Sequence, residues 1–337
     1  MRAMVVGAGA VGARVARQLA GVDTVDLLAI VDTDGGQAAA VAASLGAPAA
    51  VGRWDPDSLE SGEVVVLACP GPHLELAQAA VRRAASVVSL ADGIDDVRGL
   101  LALDEQARSA GVTVAVGAGF APGLTCVLAR HAAAGFDSVD EVYVAKAGTG
   151  GPACARDHHR ALTGEALDWR DGEWSRRRAG SGRELCWFPD PLGALDCYRG
   201  GLADALLLVP AFPGVRRVTA RVAASRRDRL TARLPMLRQP HPEGLLGAAR
   251  VEVRGRRGPA TDVHVLGALD RPAIAAGIVA GVTAAWVLDG RLGYRGAGGL
   301  GQLIAEPVPF LHDLAQRGVR AAVFEGAGAA APAPATR

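Results

Sequence analysis

Lysine is nearly missing from this sequence. Of its 36 basic residues only Lys146 is a lysine. Alanine and glycine are abundant, so the skew reads as a coding bias rather than as chemistry. A lysine surviving that bias points to a position where arginine does not serve. An excess of either charge is also lacking: 36 basic and 35 acidic residues leave a formal net charge of +1. That balance gives no electrostatic case for nucleic acid or an anionic membrane surface, and the expected partner is a small molecule. Long apolar runs are lacking too. The uncharged, largely apolar stretch Pro272 to Leu288 falls short of the ~20 residues that span a bilayer and reads as a buried core helix. No signal-peptide pattern opens the chain, since Met1-Arg2-Ala3 runs straight into a strand and a glycine loop. The five cysteines (Cys69, Cys126, Cys154, Cys186, Cys197) contain no Cys-x-x-Cys and match no zinc spacing. Reduced thiols in a cytoplasm, with no metal, are the expectation.

What is present, in the first 124 of 337 residues, is strand alternating with helix. Apolar runs at Met4–Val6, Val25–Val31, Glu63–Ala68, Ser86–Leu90 and Val112–Val116 are separated by helical stretches, including one continuous helix expected over Val97–Ala110. Continuous apolar strands between helices imply a parallel sheet covered on both faces. After Gly123 the pattern changes. Val218-x-Ala220-x-Val222, Val251-x-Val253 and Val263-x-Val265 alternate with polar residues, as strands with one wet face do. Residues 163–214 read as irregular, and Arg176-Arg177-Arg178 as solvated surface. The expected fold class is therefore α/β: an N-terminal Rossmann parallel sheet followed by a second, α+β substrate domain of mixed sheet. The expected organisation is a dinucleotide-binding domain at 1–124, a substrate and dimerisation domain at 125–271, C-terminal helices at 272–322 returning to the first domain, and a disordered tail at 326–337. Too few helices are evident to cover both faces of the second sheet, so a homodimer through that sheet is expected.

The sharpest local signal is Gly7-Ala8-Gly9-Ala10-Val11-Gly12, after a strand and opening a helix. In this motif Gly7 serves the tight turn, Gly9 the approach of a pyrophosphate and Gly12 the close packing of helix on strand, while the helix N-terminus draws the phosphates. Asp32 ends the second strand, 20 residues beyond Gly12. A carboxylate there accepts from the adenosine ribose hydroxyls and repels a 2′-phosphate, and no arginine follows it directly. NAD is expected over NADP. Cys69-Pro70-Gly71-Pro72-His73 and Asp92 end later strands on the same ligand-facing edge, and Gly117-Ala118-Gly119-Phe120-Ala121-Pro122-Gly123-Leu124 bends the backbone where nicotinamide and substrate would meet. Cys69, Pro70, Gly119, Phe120 and Gly123 thus join the cofactor candidates.

These segments, with Ser89-Leu90-Ala91-Asp92 and the helix Leu100-Leu101-Ala102-Leu103-Asp104-Glu105-Gln106-Ala107-Arg108, resemble the saccharopine dehydrogenase-like family over about the first 135 residues. The resemblance implies a Rossmann domain, an α/β substrate domain and NAD(P)-linked chemistry at a carbon–nitrogen bond of an amino acid. The middle of the chain adds Lys146 at a strand end, followed by a glycine loop and a helix from Pro152 to Leu162. Gly151 at that helix start, with Arg156 and Arg160 one turn apart, is expected to hold a substrate carboxylate. Lys146 and His158 or His159 are the candidates for moving a proton, and Asp92, also a catalytic candidate, for contacting the nicotinamide ribose or the reacting centre. Two other readings stand beside this one: a dehydrogenase or reductase of a different C–N or C–O substrate, and a nucleotide-sensing protein without turnover.

Overall fold

A computed structural model describes residues 1–236 and 239–324; the tail expected to be disordered, 326–337, lies outside the described residues. The first part of the chain runs β1 (Arg2–Val6), α1 (Gly12–Ala20), β2 (Leu27–Val31), α2 (Gly35–Leu45), β3 (Ala49–Val51), β4 (Val64–Leu67), α3 (Leu74–Arg82), β5 (Ser86–Ser89), α4 (Ile94–Leu101), α5 (Asp104–Ser109), β6 (Thr113–Val116) and α6 (Leu124–Ala133). There follow β7 (Ser138–Ala147), α7 (Pro152–Arg160), β8 (Glu165–Arg170), β9 (Glu173–Arg178), β10 (Glu184–Trp187), β11 (Ala194–Arg199), α8 (Asp204–Leu208), β12 (Arg217–Ala223), α9 (Arg226–Thr231), β13 (Gly247–Arg257) and β14 (Ala260–Asp270). The described chain closes with α10 (Pro272–Leu288), β15 (Gly296–Gly299), α11 (Leu300–Leu303), α12 (Pro307–Gln316) and β16 (Ala321–Phe324).

Every residue of β4, β5 and β6 is buried, which only a sheet covered on both faces allows. That sheet has seven strands, all parallel, in the order β15-β6-β5-β4-β1-β2-β3. The chain steps outward from β1 in both directions, through β2 on one side and β4 on the other. At such a switch point the loops beyond the strand C-termini part and leave a crevice. One cover is α10, of which every residue but Ile274 is buried. It lies against α1 through Gly277 and Gly281, where a Cβ would come 2.5 Å from the Cβ atoms of Arg14 and Gln18. Among the described residues no helix is long and apolar enough to cross a membrane.

The second sheet is mixed, in the order β10-β11-β12-β7-β13-β14-β16 with the β8–β9 hairpin attached to β12. Val142, Val144, Val218, Val251 and Val253 are buried on the face that α6 covers. The opposite face carries Glu141, Tyr143, Arg217, Arg250, Glu252 and Arg254 around an open groove. The last described strand, β16, pairs with β14 of this sheet rather than joining the parallel one.

Two sequence expectations are corrected. The single helix over Val97–Ala110 is two helices, broken after Leu101. The break sets Asp104 against β15, where its Oδ1 accepts from the Ala297 N–H at 2.9 Å and from the Tyr294 hydroxyl at 3.0 Å. The stretch 163–214 is not irregular but holds β8 to β11 and α8. Its strand β9 is arginine-rich and exposed, which hides the period-2 pattern. Asp171-Gly172, with φ of 51° and 88°, is the hairpin turn that betrays them.

Candidate functional site

The glycine-rich loop shows what each glycine is for. A Cβ on Gly7, whose φ is +103°, would come 2.6 Å from the Cys69 nitrogen, and one on Gly12 would run into the Gly7 carbonyl. Those two glycines serve the protein's own packing. Gly9 meets nothing within 4 Å. Its bare backbone faces open space, as a cradle for a pyrophosphate must. Val11 leads α1 without a side-chain cap, so the N–H groups of the first turn have no side-chain acceptor there. Asp32 is held at the mouth of this loop: Oδ2 accepts from the Ala8 N–H at 2.6 Å and Oδ1 from the Asp34 N–H at 2.9 Å. Asp34 in turn caps α2. Two carboxylates therefore stand side by side beyond the end of β2. The loop fits a dinucleotide, with Gly7, Gly9, Ala10, Val11, Gly12 and Asp32 the residues that would hold it.

The next two loops along the sheet edge are tied together by His73, a role not read from the sequence. Its Nε2–H donates to the Cys69 carbonyl at 2.9 Å, so Nδ1 is left to accept from the Ser89 hydroxyl at 2.8 Å. Ser89 Oγ accepts from the Ala91 N–H at 3.1 Å, one residue short of Asp92. Asp96 adds a second tie by accepting from the His73 and Leu74 N–H groups. The chain Cys69–His73–Ser89–Ala91 thereby fixes where Asp92 emerges. The Cys69 thiol is pushed up by burial, and Pro70 beside it is exposed.

Asp92 meets Lys146. The Lys146 ammonium lies 3.6 Å from Asp92 Oδ2 and donates to the Ala121 carbonyl at 2.9 Å. Lys146 is 9% exposed. Its burial opposes the charge, but Asp92 and then Asp204 outweigh that and the net result holds the amine above its ordinary value. The loop carrying Ala121 folds back on itself. Gly119 N–H donates to the Pro122 carbonyl at 3.0 Å and Leu124 N–H to the Gly119 carbonyl at 2.9 Å. Gly123 has a φ of +126°, and a Cβ there would strike Gly119. Phe120 is buried in the core. Gly119, Phe120 and Gly123 thus shape the loop and turn the Ala121 carbonyl toward Lys146.

The helix α7 presents Cys154, Asp157 and His158 on one side and Arg156 and Arg160 on the other. Both arginines are exposed, and Arg160 pairs with Asp157 at 3.2 Å. The expected arginine clamp does not face Lys146. Nor does His158 suit proton transfer near neutral pH. Burial first, then Lys146, lowers its pKa to about 4, and Nε2 is engaged with the Ala223 carbonyl at 3.0 Å. Gly151 sits against the dinucleotide loop: a Cβ there would lie 3.2 Å from that of Ala10. The residue the sequence reading missed is Asp204, a carboxylate inside the apolar run Leu202–Leu208, and that misplaced charge was its signal.

The whole arrangement is a Rossmann-like α/β fold, with a seven-stranded parallel sheet followed by a mixed sheet. No family model matches the chain, and no curated protein matches it in sequence. Among solved structures, saccharopine dehydrogenase (L-Glu forming) from Saccharomyces cerevisiae superimposes with a TM-score of 0.70 at 15% identity, over 96% of this chain and 99% of that one. GenD2 from gentamicin A biosynthesis, in complex with NAD, has a TM-score of 0.48 at 18% identity, over 97% of each chain. C. glutamicum DAP dehydrogenase, in complex with DAP, has a TM-score of 0.47 at 18% identity, over 95% of this chain and 99% of that one. The likeness to the yeast protein shows a shared fold across nearly the full length of both chains.

Proposed function

We propose that this protein is an NAD-dependent oxidoreductase acting at the carbon–nitrogen bond of an amino-acid-like substrate. The observation that carries the proposal is the Asp92–Lys146 pair, placed beyond the C-terminal ends of β5 and β6 on the edge that also carries the Gly9 cradle. In an open parallel sheet the reactive end of a dinucleotide held at β1 reaches that region. The dinucleotide, when bound, supplies hydride donation and acceptance; the protein must position the substrate and handle one proton. Lys146, held charged, acts as a fixed cation that orients the substrate and the Asp92 carboxylate. Asp92, with 40% of its side chain exposed, is the group able to exchange a proton with a substrate nitrogen in the cleft. That the yeast structure sharing this fold is named a saccharopine dehydrogenase supports the substrate class.

The Asp32 and Asp34 carboxylates favour NAD over NADP. The open face of the mixed sheet carries acidic and basic residues in similar number, as a surface that pairs with a second copy of itself does. A homodimer is the proposed assembly, and the five free thiols agree with a cytoplasmic setting. The test of the reaction is NADH absorbance decay with a panel of 2-oxo acids and amines. Consumption with one pair supports the enzyme. NADH binding with no turnover on any pair replaces it with a nucleotide sensor.

A further inference from the structure

Asp204 is 1% exposed, the least exposed carboxylate among the described residues. The two other buried carboxylates have guanidinium partners: Glu63 is 2.6 Å from Arg2 and Asp168 is 3.1 Å from Arg199. Asp204 has none. Its Oδ1 accepts from the Thr125 hydroxyl at 3.3 Å, and its Oδ2 has no hydrogen-bond partner. A buried carboxylate in that state needs a compensating positive charge nearby. The cation it faces is Lys146. Both groups hang from one segment: Lys146 bonds the Ala121 carbonyl and Asp204 bonds Thr125, four residues on.

We propose that Asp204 is a positioning residue for this site, flanking Lys146 together with Asp92 so that two carboxylates hold one ammonium charged and fixed on the Ala121 carbonyl. The inference rests on the proposed function only for the use the site is put to. The electrostatics is local. Lys146 faces Asp92 beyond β5, Asp204 at the start of α8, and Cys154 and His158 on α7. Asp204 faces Lys146, Asp92, Thr125 and Cys126; burial first, against the lowering pull of Lys146, holds its own carboxyl above the ordinary value, and the Cys126 thiol is pushed by burial first and then Asp204 up to about 12. Asp92 is partly in water and its field is screened; Asp204 is not, so its effect on the amine exceeds what its greater separation alone would suggest.

Because the chain has a single lysine, its amine can be titrated without a substrate. Wild type, D92N and D204N are labelled with trace acetic anhydride from about pH 7 to about pH 11, with the N-terminal amine as internal reference and peptide mass spectrometry as readout. Removing a carboxylate lowers the amine's pKa and enlarges its neutral, reactive fraction. D204N is expected to label Lys146 about tenfold faster below its pKa, a drop of about one unit. A folded D204N that labels at the wild-type rate overturns the proposal, including the case in which D204N also loses turnover, since Asp204 would then act on the substrate directly. If D204N melts too early for labelling, stability is compared in a Lys146→Met background. Compensating charges predict a smaller loss from D204N there than in wild type; equal losses overturn the proposal. None of these measurements requires turnover, so failure of the enzyme proposal leaves them intact.

Discussion

Replacing Gly9 by alanine separates the ligand's demand on the dinucleotide loop from the fold's demand. A Cβ at Gly9 meets nothing within 4 Å, and the residue is not in the left-handed region. The folded protein therefore tolerates G9A, and lost chain entropy in the unfolded state adds about 0.4–1 kcal/mol of stability. A bound pyrophosphate would occupy the space the new methyl fills. Overpacking of that kind costs about 2 kcal/mol, or ~30-fold in Kd. At an NAD concentration about 100 times the wild-type Kd, wild type gains about 2.7 kcal/mol of stability from the ligand and G9A only about 0.9 kcal/mol. G12A is the control. Its methyl would run into the Gly7 carbonyl, so it loses about 1–3 kcal/mol before any ligand is added. Calorimetric unfolding with and without NAD, with titration calorimetry for Kd, checks all three proteins. A G9A protein that NAD stabilises as much as wild type refutes the cradle, and one that melts early without ligand refutes the packing argument.

D32A should weaken NAD and improve NADP relative to wild type, with the affinity ratio moving by tenfold or more as about 1.5–3 kcal/mol of charge-assisted bonding is lost; an unchanged ratio removes the ribose role. Once a substrate is known, K146R should keep turnover within about tenfold of wild type and raise KM, because Lys146 is held charged and arginine preserves a cation. Turnover reduced by roughly a hundredfold to ten-thousandfold, the size typical of a lost general acid or base, would make Lys146 the proton-transfer group instead. His158 binds a proton less readily folded than unfolded, so the unfolded state carries more protons between about pH 6.5 and 4, and stability there falls with acidification. The loss over that window is up to about 3 kcal/mol, and urea unfolding across it should show His158→Gln with a flatter profile. Light scattering at micromolar concentration should return twice the mass of one chain; a monomeric mass ends the homodimer proposal.

The parallel sheet was legible because its signals are local. A strand such as Val64–Leu67 is apolar end to end only when both faces are covered, and a helix that follows Gly7–Gly12 within a few residues leaves little choice of topology. The β8–β9 ribbon was illegible because Glu173–Arg178 lies mostly in solvent, while Glu165–Arg170 buries three successive residues, Ala166, Leu167 and Asp168, so neither strand shows period-2 alternation. Its one clear mark was the Asp171-Gly172 turn. The division of Val97–Ala110 into two helices was hidden for another reason. The partner of Asp104 is Ala297, in a strand added to the sheet from almost 200 residues further along.

The site divides along the same line. The glycines and Asp32 stand out as candidates because a motif places them within one strand–turn–helix unit, where spacing determines geometry. Lys146 stands out as a candidate through rarity and strand-end position, and its surroundings suit a lysine. Its amine fits between the Ala121 carbonyl and Asp92 in a site only 9% exposed. A planar guanidinium brings five donors there, and unbonded ones would be buried at a cost. Arg156, Arg160 and His158 were placed by residue type and helical spacing, without knowledge of how the helix is turned. Side-chain direction decides for such residues, and direction follows from how α7 rotates against β12, a contact between segments more than 60 residues apart. Asp204 lies furthest from sequence reach. A lone aspartate in an apolar run looks like an interruption until the fold carries it to the one lysine in the chain. Charge pairing between such distant positions is set by topology, so the residues that tune this site become visible only after the two sheets have met.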